Sequence, residues 1–249
     1  MLAFSFLLAW PFSPAKAANG KPSAPAGKGV AVVELFTSEG CSSCPPADEL
    51  LLQIARDARQ SKRAIYPLAF HVDYWDDLGW KDPYGSGAYS KRQNEYVAAF
   101  SGEGPYTPEM VVNGRVGFVG SRREQAEQEI ARALGLAASA DVQIVSANSM
   151  PDGHVSVMIH VRGANPSDRV VAALVQREIE HHVGAGENSG RTLHHAEVVR
   201  GLATAPVRDG NVQLSLRAPA DLTRGKGSVV IFIQVPRTLA ITGAARIDI

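Results

Sequence analysis

The chain has 249 residues, 45% of them hydrophobic and 20% charged, which is enough apolar material to bury a sizeable core. Lys plus Arg and Asp plus Glu both number 25, so the formal net charge is zero. There is no basic excess to neutralise phosphates, and no block of like charges points to a nucleic-acid or polyanion partner.

Leu2 to Phe12 is an apolar run of signal-peptide length, far short of the roughly 20 residues that span a bilayer. Ala15-Lys16-Ala17 follows as a small-x-small cleavage site. Residues 1–18 are therefore expected to be a signal peptide, although no Lys or Arg precedes the run. The product is expected in the periplasm or secreted, with no membrane span once the signal is removed. No cysteine follows the run directly, which argues against a lipid anchor. Residues 19–29, rich in Pro, Gly and Ala, read as a linker.

Val30 to Phe36 is a β-branched apolar run that suits a buried strand. A helix is expected from about the cysteines to Gln60, with Leu50, Leu51, Ile54 and Ala58 at helical spacing. Ala64 to Val72 reads as a second strand, Tyr74 to Ser86 as an aromatic and acidic inserted loop, and Tyr89 to Phe100 as a helix with Tyr89, Tyr96, Val97 and Phe100 on the core. Glu109–Val112 and Arg115–Val119 are short strands around Asn113-Gly114, a strong hairpin signal. Ser121 and Glu124 stand at capping-box spacing ahead of a helix to about Leu136. Strand, helix, strand, helix, hairpin, helix is the element order of the thioredoxin fold. From Asp141 the texture changes to short runs (Val142–Ser146, Val155–Val161, Val170–Arg177, Val212–Leu216, Val229–Val235) broken by Gly, Pro, Asn and Asp. The expected fold is an α/β thioredoxin-like domain over 30–138, followed by an all-β, sandwich-like domain over 139–249.

Cys41 and Cys44 are the chain's two cysteines. A bridge across two intervening residues closes too short a loop to remove much unfolded-state entropy, so the pair is better explained by chemistry than by stability. A helix N-terminus stabilises a thiolate, which makes Cys41 the expected nucleophile. Cys44, one turn on, would resolve the mixed disulfide. Pro45 and Pro46 suit a first helical turn. Half of a zinc site has the same spacing, but no second Cys pair and no His pair at finger spacing accompany it.

Thr107-Pro108 precedes the hairpin where thioredoxin-like proteins carry a cis-proline beside the dithiol, and a cis bond is expected there; it would leave the Thr107 backbone free to pair with a substrate chain. Glu34 interrupts the first strand. It is either a buried proton shuttle or, more simply, a strand-end acid facing solvent. His71 and Asp73 alternate onto one strand face and could bind a metal or tune the thiolate. The simpler reading is a buried His with a carboxylate partner, under an aromatic lid that includes Trp75. His181-His182 and His194-His195 are adjacent pairs whose members face opposite ways on a strand, so they make poor chelates.

The run Val33-Glu34-Leu35-Phe36-Thr37-Ser38-Glu39-Gly40-Cys41-Ser42-Ser43-Cys44-Pro45-Pro46-Ala47-Asp48 resembles the signature of a secreted family, the domain-of-unknown-function 1223 group. His71 to Asp76, Leu78 to Pro83 and Tyr106 to Gly114 extend the match, and Glu187-Asn188 to Arg200 looks like its C-terminal β region. The resemblance implies a thioredoxin-like fold with both family cysteines present, and names no substrate.

The expected function is thiol–disulfide exchange by Cys41 and Cys44, supported by Thr107, Pro108, Glu34, His71, Asp73 and Trp75. It needs no cofactor beyond the redox-active disulfide, and its partners would be protein thiols or disulfides and a redox partner that the sequence does not name. A copper-binding or metallochaperone module using the cysteines and His71 is the alternative, since soft thiolates suit Cu(I). A partner-binding protein with an inert disulfide is the third reading.

Overall fold

The computed structural model describes residues 28–150, 152–207, 210–222 and 225–249. The expected signal peptide and most of the linker lie outside them.

The chain runs β1 (Ala31–Thr37), α1 (Pro45–Ser61), β2 (Ile65–His71), a short 3₁₀ turn (Asp76–Leu78), α2 (Gly87–Ala99), β3 (Glu109–Val112), β4 (Val116–Val119) and α3 (Arg123–Gly135). Seven strands complete it: β5 (Asp141–Ser149), β6 (His154–Arg162), β7 (Arg169–His182), β8 (Thr192–Pro206), β9 (Gly210–Arg217), β10 (Gly227–Gln234) and β11 (Ile241–Asp248). β1 is apolar but for Glu34 and Thr37 and buried throughout, as a central strand must be. α1 opens on two prolines, which cost nothing where first-turn amides have no helical partner, and stops at Lys62 in the left-handed region. Asn113 and Gly114 both take positive φ, and the Arg115 N–H closes the turn on the Val112 carbonyl. The Ser121 cap does not form; α3 starts after Arg122, without a side-chain cap.

The expected fold class is overturned. The protein is mostly β, and strands from both halves share one mixed eight-stranded sheet, ordered β11-β10-β7-β8-β2-β1-β3-β4. It is not a thioredoxin-like α/β domain followed by a β domain. The join is β8, a 15-residue strand that runs antiparallel to β7 and meets β2 in parallel at Ala69 and Val198. β5, β6 and β9 make a separate three-stranded sheet.

Alternation along the strands places three cores. Val33, Leu35 and Val112 face α1 and α3, through Leu51, Ile54 and Ile130. Val32, Phe36 and Phe70 face the other side, with Tyr89 and Tyr96 of α2 and with Val171, Val230 and Phe232. Val170, Leu174, Val229 and Ile231 pack against Val157, Ile159 and Leu214 of the small sheet. α2 buries Arg92 and Gln93 beside Tyr89 and Tyr96, whereas Val97 and Phe100, expected on the core, are only partly covered.

Candidate functional site: a covered disulfide over a carboxylate and histidine cluster

Cys41 and Cys44 are joined in a disulfide where β1 hands over to α1, and Cys44 is the residue before the first helical turn. Ser38 sets the turn: its Oγ accepts the Gly40 N–H at 3.1 Å and its carbonyl accepts the Cys41 N–H at 3.2 Å. Both sulfurs are fully buried, while Ser42 and Ser43 between them are exposed. The Ser43 Oγ lies 3.3 Å from the Cys41 Sγ, close enough for its hydroxyl to donate to a Cys41 thiolate. The helix terminus itself offers fewer donors than a typical first turn. Pro45 and Pro46 have no N–H, and the Cys44 N–H is spent on the Cys41 carbonyl at 3.2 Å.

Three segments pack around the turn that carries the disulfide. The loop joining β7 to β8 lies across it: the Glu187 carboxylate accepts the Ser42 N–H at 3.0 Å, and the buried Asn188 amide donates to the carbonyls of Glu39 and Cys41 at 2.8 and 3.0 Å. Arg191 holds that amide in place through its oxygen at 2.7 Å. Trp75 lies against Gly40, where an added Cβ would stand 3.0 Å from its own Cβ, and donates its indole N–H to the Thr107 hydroxyl at 2.8 Å. The Thr107-Pro108 peptide is cis, and Pro108 is buried. A Cβ on Gly120 would sit 3.3 Å from the Cβ atoms of both Pro108 and Ala47, so the proline packs close to the first turn of α1.

Asn188 leads to a direct expectation. Asn188→Ala removes three hydrogen bonds, the two its amide donates and the one it accepts from Arg191, and leaves the Glu39 carbonyl short of a donor. It should cost about 1–3 kcal/mol in urea unfolding and speed reduction of the disulfide by a small dithiol. An unchanged reduction rate would mean that this loop does not limit access.

Under the disulfide is a set of buried ionisable groups. The Glu39 carboxylate accepts from the Trp80 indole at 2.9 Å and meets His181 Nδ1 at 2.8 Å and His195 Nε2 at 3.2 Å. Burial alone would raise its pKa, but the hydrogen bonds from His195 and Trp80 outweigh it and hold the carboxyl below its ordinary value. Asp82 takes the Glu39 and Tyr84 backbone N–H groups and meets His71 Nδ1 at 2.8 Å. Burial opposes its ionisation too, yet the His71 charge and these bonds pull its pKa down to about 2. Asp48 behaves oppositely. It is almost wholly buried one turn after Cys44, and its Oδ2 has no hydrogen-bond partner. Burial pushes its pKa up to about 7, against a partial pull from His195. His195 Nδ1 lies 3.9 Å from that Oδ2 and is likewise unpartnered. The His71 ring packs edge-on against His195, centroids 4.8 Å apart.

The residues singled out in the sequence therefore divide. Trp75 borders the cysteine turn at Gly40 and bonds Thr107, and Pro108 packs near the first turn of α1. His71 has the expected carboxylate partner, in Asp82, and joins the buried cluster. Asp73 does not: its carboxylate takes the Ser90 hydroxyl at the start of α2, away from His71. Glu34 lies on the opposite face of β1, grouped with Val32 and Phe36, and its carboxylate is engaged by Arg92 and Tyr96. It neither faces solvent nor reaches α1. Glu39, Asp48, His181, His195 and Asn188 are the site residues that sequence reasoning missed. The adjacent His pairs held the signal. On a strand one member of each pair must face inward, and His181 and His195 do so on the same side of the antiparallel β7–β8 pair, while His182 and His194 are exposed.

Fold and site together define a predominantly β protein that carries a covered CxxC disulfide beside a buried carboxylate and histidine cluster. Residues 32–234 match the family described as protein of unknown function (DUF1223), and the chain belongs to that family. A crystal structure of a protein from Agrobacterium tumefaciens is 30% identical over 90% of this chain and 96% of its own, with a TM-score of 0.65. HBP35 of Porphyromonas gingivalis shares the fold at 14% identity and a TM-score of 0.59, over 91% of this chain and 77% of its own. No curated protein matches the sequence.

Proposed function

We propose that the protein is an exported thiol–disulfide exchange protein. Cys41 is the attacking thiol and Cys44 the resolving one, and protein thiols or disulfides are the substrates. The observation that carries this reading is the Cys41–Cys44 disulfide at the entry to α1, set among residues that can take up and release protons. An inert staple would gain little from so short a loop, and would not need a carboxylate buried one turn away whose Oδ2 has no hydrogen bond. Among the described residues no group of three or more His, Cys, Asp or Glu is placed to hold a metal ion, and His71 is engaged with Asp82. The apolar run near the N-terminus supports export, and an oxidising compartment suits a chain whose cysteines are both in a disulfide.

The reaction balances without a cofactor. In the reducing direction the Cys41 thiolate attacks a substrate disulfide, forming a mixed disulfide and expelling one substrate thiolate. Cys44 then loses its proton and attacks the Cys41 sulfur, which restores the Cys41–Cys44 bond and releases the second substrate thiolate. Two electrons pass to the substrate. Run backwards, the same steps oxidise a substrate dithiol.

Incubation of the reduced protein with a disulfide peptide tests the reading. Wild type should exchange with the peptide, Cys41→Ser should not, and Cys44→Ser should accumulate a covalent adduct that dithiothreitol releases. Equal turnover by wild type and Cys41→Ser would overturn it.

A further inference from the structure

Cys44 is fully buried, and resolution of a mixed disulfide frees a proton there that must be carried to the surface. Cys44 and Asp48 are four residues apart, on one face at the entry to α1, where the Asp48 N–H bonds the Cys44 carbonyl at 3.1 Å. Asp48 Oδ2 and His195 Nδ1 face one another at 3.9 Å, both buried and neither with another partner. The other ring nitrogen of His195 is 3.2 Å from Glu39 Oε1, and that same oxygen is 2.8 Å from His181 Nδ1. The His181 side chain is 31% exposed, and is the first member of the series to reach solvent.

Resting on the exchange reading above, we infer that Asp48, His195, Glu39 and His181 form a proton relay that connects the buried resolving thiol to the surface. The Cys44 proton passes to the Asp48 carboxylate as the Cys44 sulfur attacks Cys41. Asp48 hands a proton to His195 Nδ1, the proton on His195 Nε2 goes to Glu39, and Glu39 delivers one to His181 and solvent. In the opposite direction the same groups bring a proton in as Cys44 leaves as a thiol. No atom is lost and no electron moves along the chain; it carries protons only. An imidazole in the middle suits this work because its two nitrogens can accept on one side while donating on the other.

The groups bearing on Asp48 come from each element packed around it. His195 of β8 and the Thr37 hydroxyl at the end of β1 favour its ionised form, while Asp82 of the loop after β2 and Glu39 after β1 oppose it. These surroundings leave the carboxyl divided between its two forms near neutral pH, as a group that must both take and give a proton requires.

Two measurements test the relay separately from the exchange reading. The first uses Cys41→Ala, which cannot exchange. The Cys44 thiolate absorbance, followed against pH, should titrate at lower pH once Asp48→Asn is added, because a neighbouring negative charge has gone. An unchanged curve would overturn the relay whether or not the protein exchanges. The second uses stopped-flow kinetics on the full protein. Attack by Cys41, read in the Cys44→Ser background, should be indifferent to Asp48→Asn. Resolution by Cys44 should slow about 10²-fold and lose its inflection near neutral pH. His181→Gln should slow resolution in dilute buffer and recover it when imidazole is added, a rescue that a packing defect would not show. Resolution untouched by Asp48→Asn, or His181→Gln insensitive to imidazole, would refute the relay even with exchange intact. Exchange absent in wild type with the Cys44 titration shifted would refute the function and leave the Cys44–Asp48 coupling standing.

Discussion

Arg92→Met, with Glu34 left in place, is expected to cost about 3–5 kcal/mol of folding stability, because it strands a carboxylate in the core. Glu34 is fully buried and Arg92 is 5% exposed. The guanidinium reaches both carboxylate oxygens, Nε to Oε2 at 2.5 Å and Nη2 to Oε1 at 2.9 Å, and also bonds Tyr96 and Gln234. It lies over the rings of Phe70, Tyr96 and Phe232 at 5.3 to 5.5 Å. One side chain on α2 thus ties β1 and β2 to β10, a strand from the far end of the chain. Urea titration reads the cost directly. The paired change Glu34→Leu with Arg92→Met removes both charges together and should recover most of the loss, since a buried ion pair stabilises little relative to apolar residues of similar volume. A single Arg92→Met that costs under about 1 kcal/mol would show that water reaches Glu34.

That pair also shows where sequence reasoning stopped. Glu34 stood out in an apolar strand, but its partner is 58 positions away, on a helix face read as aliphatic and aromatic. Periodicity found α1, α2, α3 and the Asn113-Gly114 hairpin, because local pattern and turn chemistry decide those. It did not find β8 or β11. β8 is interrupted by a bulge opposite Leu174 and Val175 and carries charged residues facing its partners, so it lacks a clean alternation. Without β8, nothing in the sequence joined the two halves, and two domains looked natural. A warning was nonetheless present. Val170 to Val175 and Val229 to Ile233 are continuous apolar runs, which central strands covered on both faces require, rather than the half-exposed alternation of a free-standing sandwich. At the site, the Cys41–Cys44 pair and the cis Thr107-Pro108 bond were legible because they are contiguous motifs. Glu39, Asp48, His181 and His195 come from β1's exit, α1, β7 and β8, and only the tertiary fold brings them together.

Asp48 and Asp82 give the stability of the protein opposite dependences on pH. The Asp48 carboxyl titrates at about 7 in the fold, against 3.8 for an ordinary aspartate. The folded state holds that proton more tightly than the unfolded state. Below about pH 4 both states are protonated and Asp48 costs nothing; the cost grows as pH rises through this window and is complete above about 7. Three pH units correspond to an upper limit of about 4 kcal/mol. Asp48→Asn should therefore match wild type at pH 4 and be more stable at pH 8, by up to that amount. Asp82 has the reverse sign: its carboxyl sits at about 2, below the ordinary value. Its stabilisation is present above about pH 4 and is lost as pH falls through 2, so Asp82→Asn should be destabilised at neutral pH and converge on wild type in acid. Thermal unfolding of the three proteins from about pH 1 to pH 8 reads both trends. Parallel curves for wild type and Asp48→Asn would show that Asp48 is ionised at no cost, and would remove the energetic reason for a buried carboxylate to hold a proton beside Cys44. A gain confined to high pH would instead identify Asp48 as a residue kept against stability, as expected of a group retained for proton transfer.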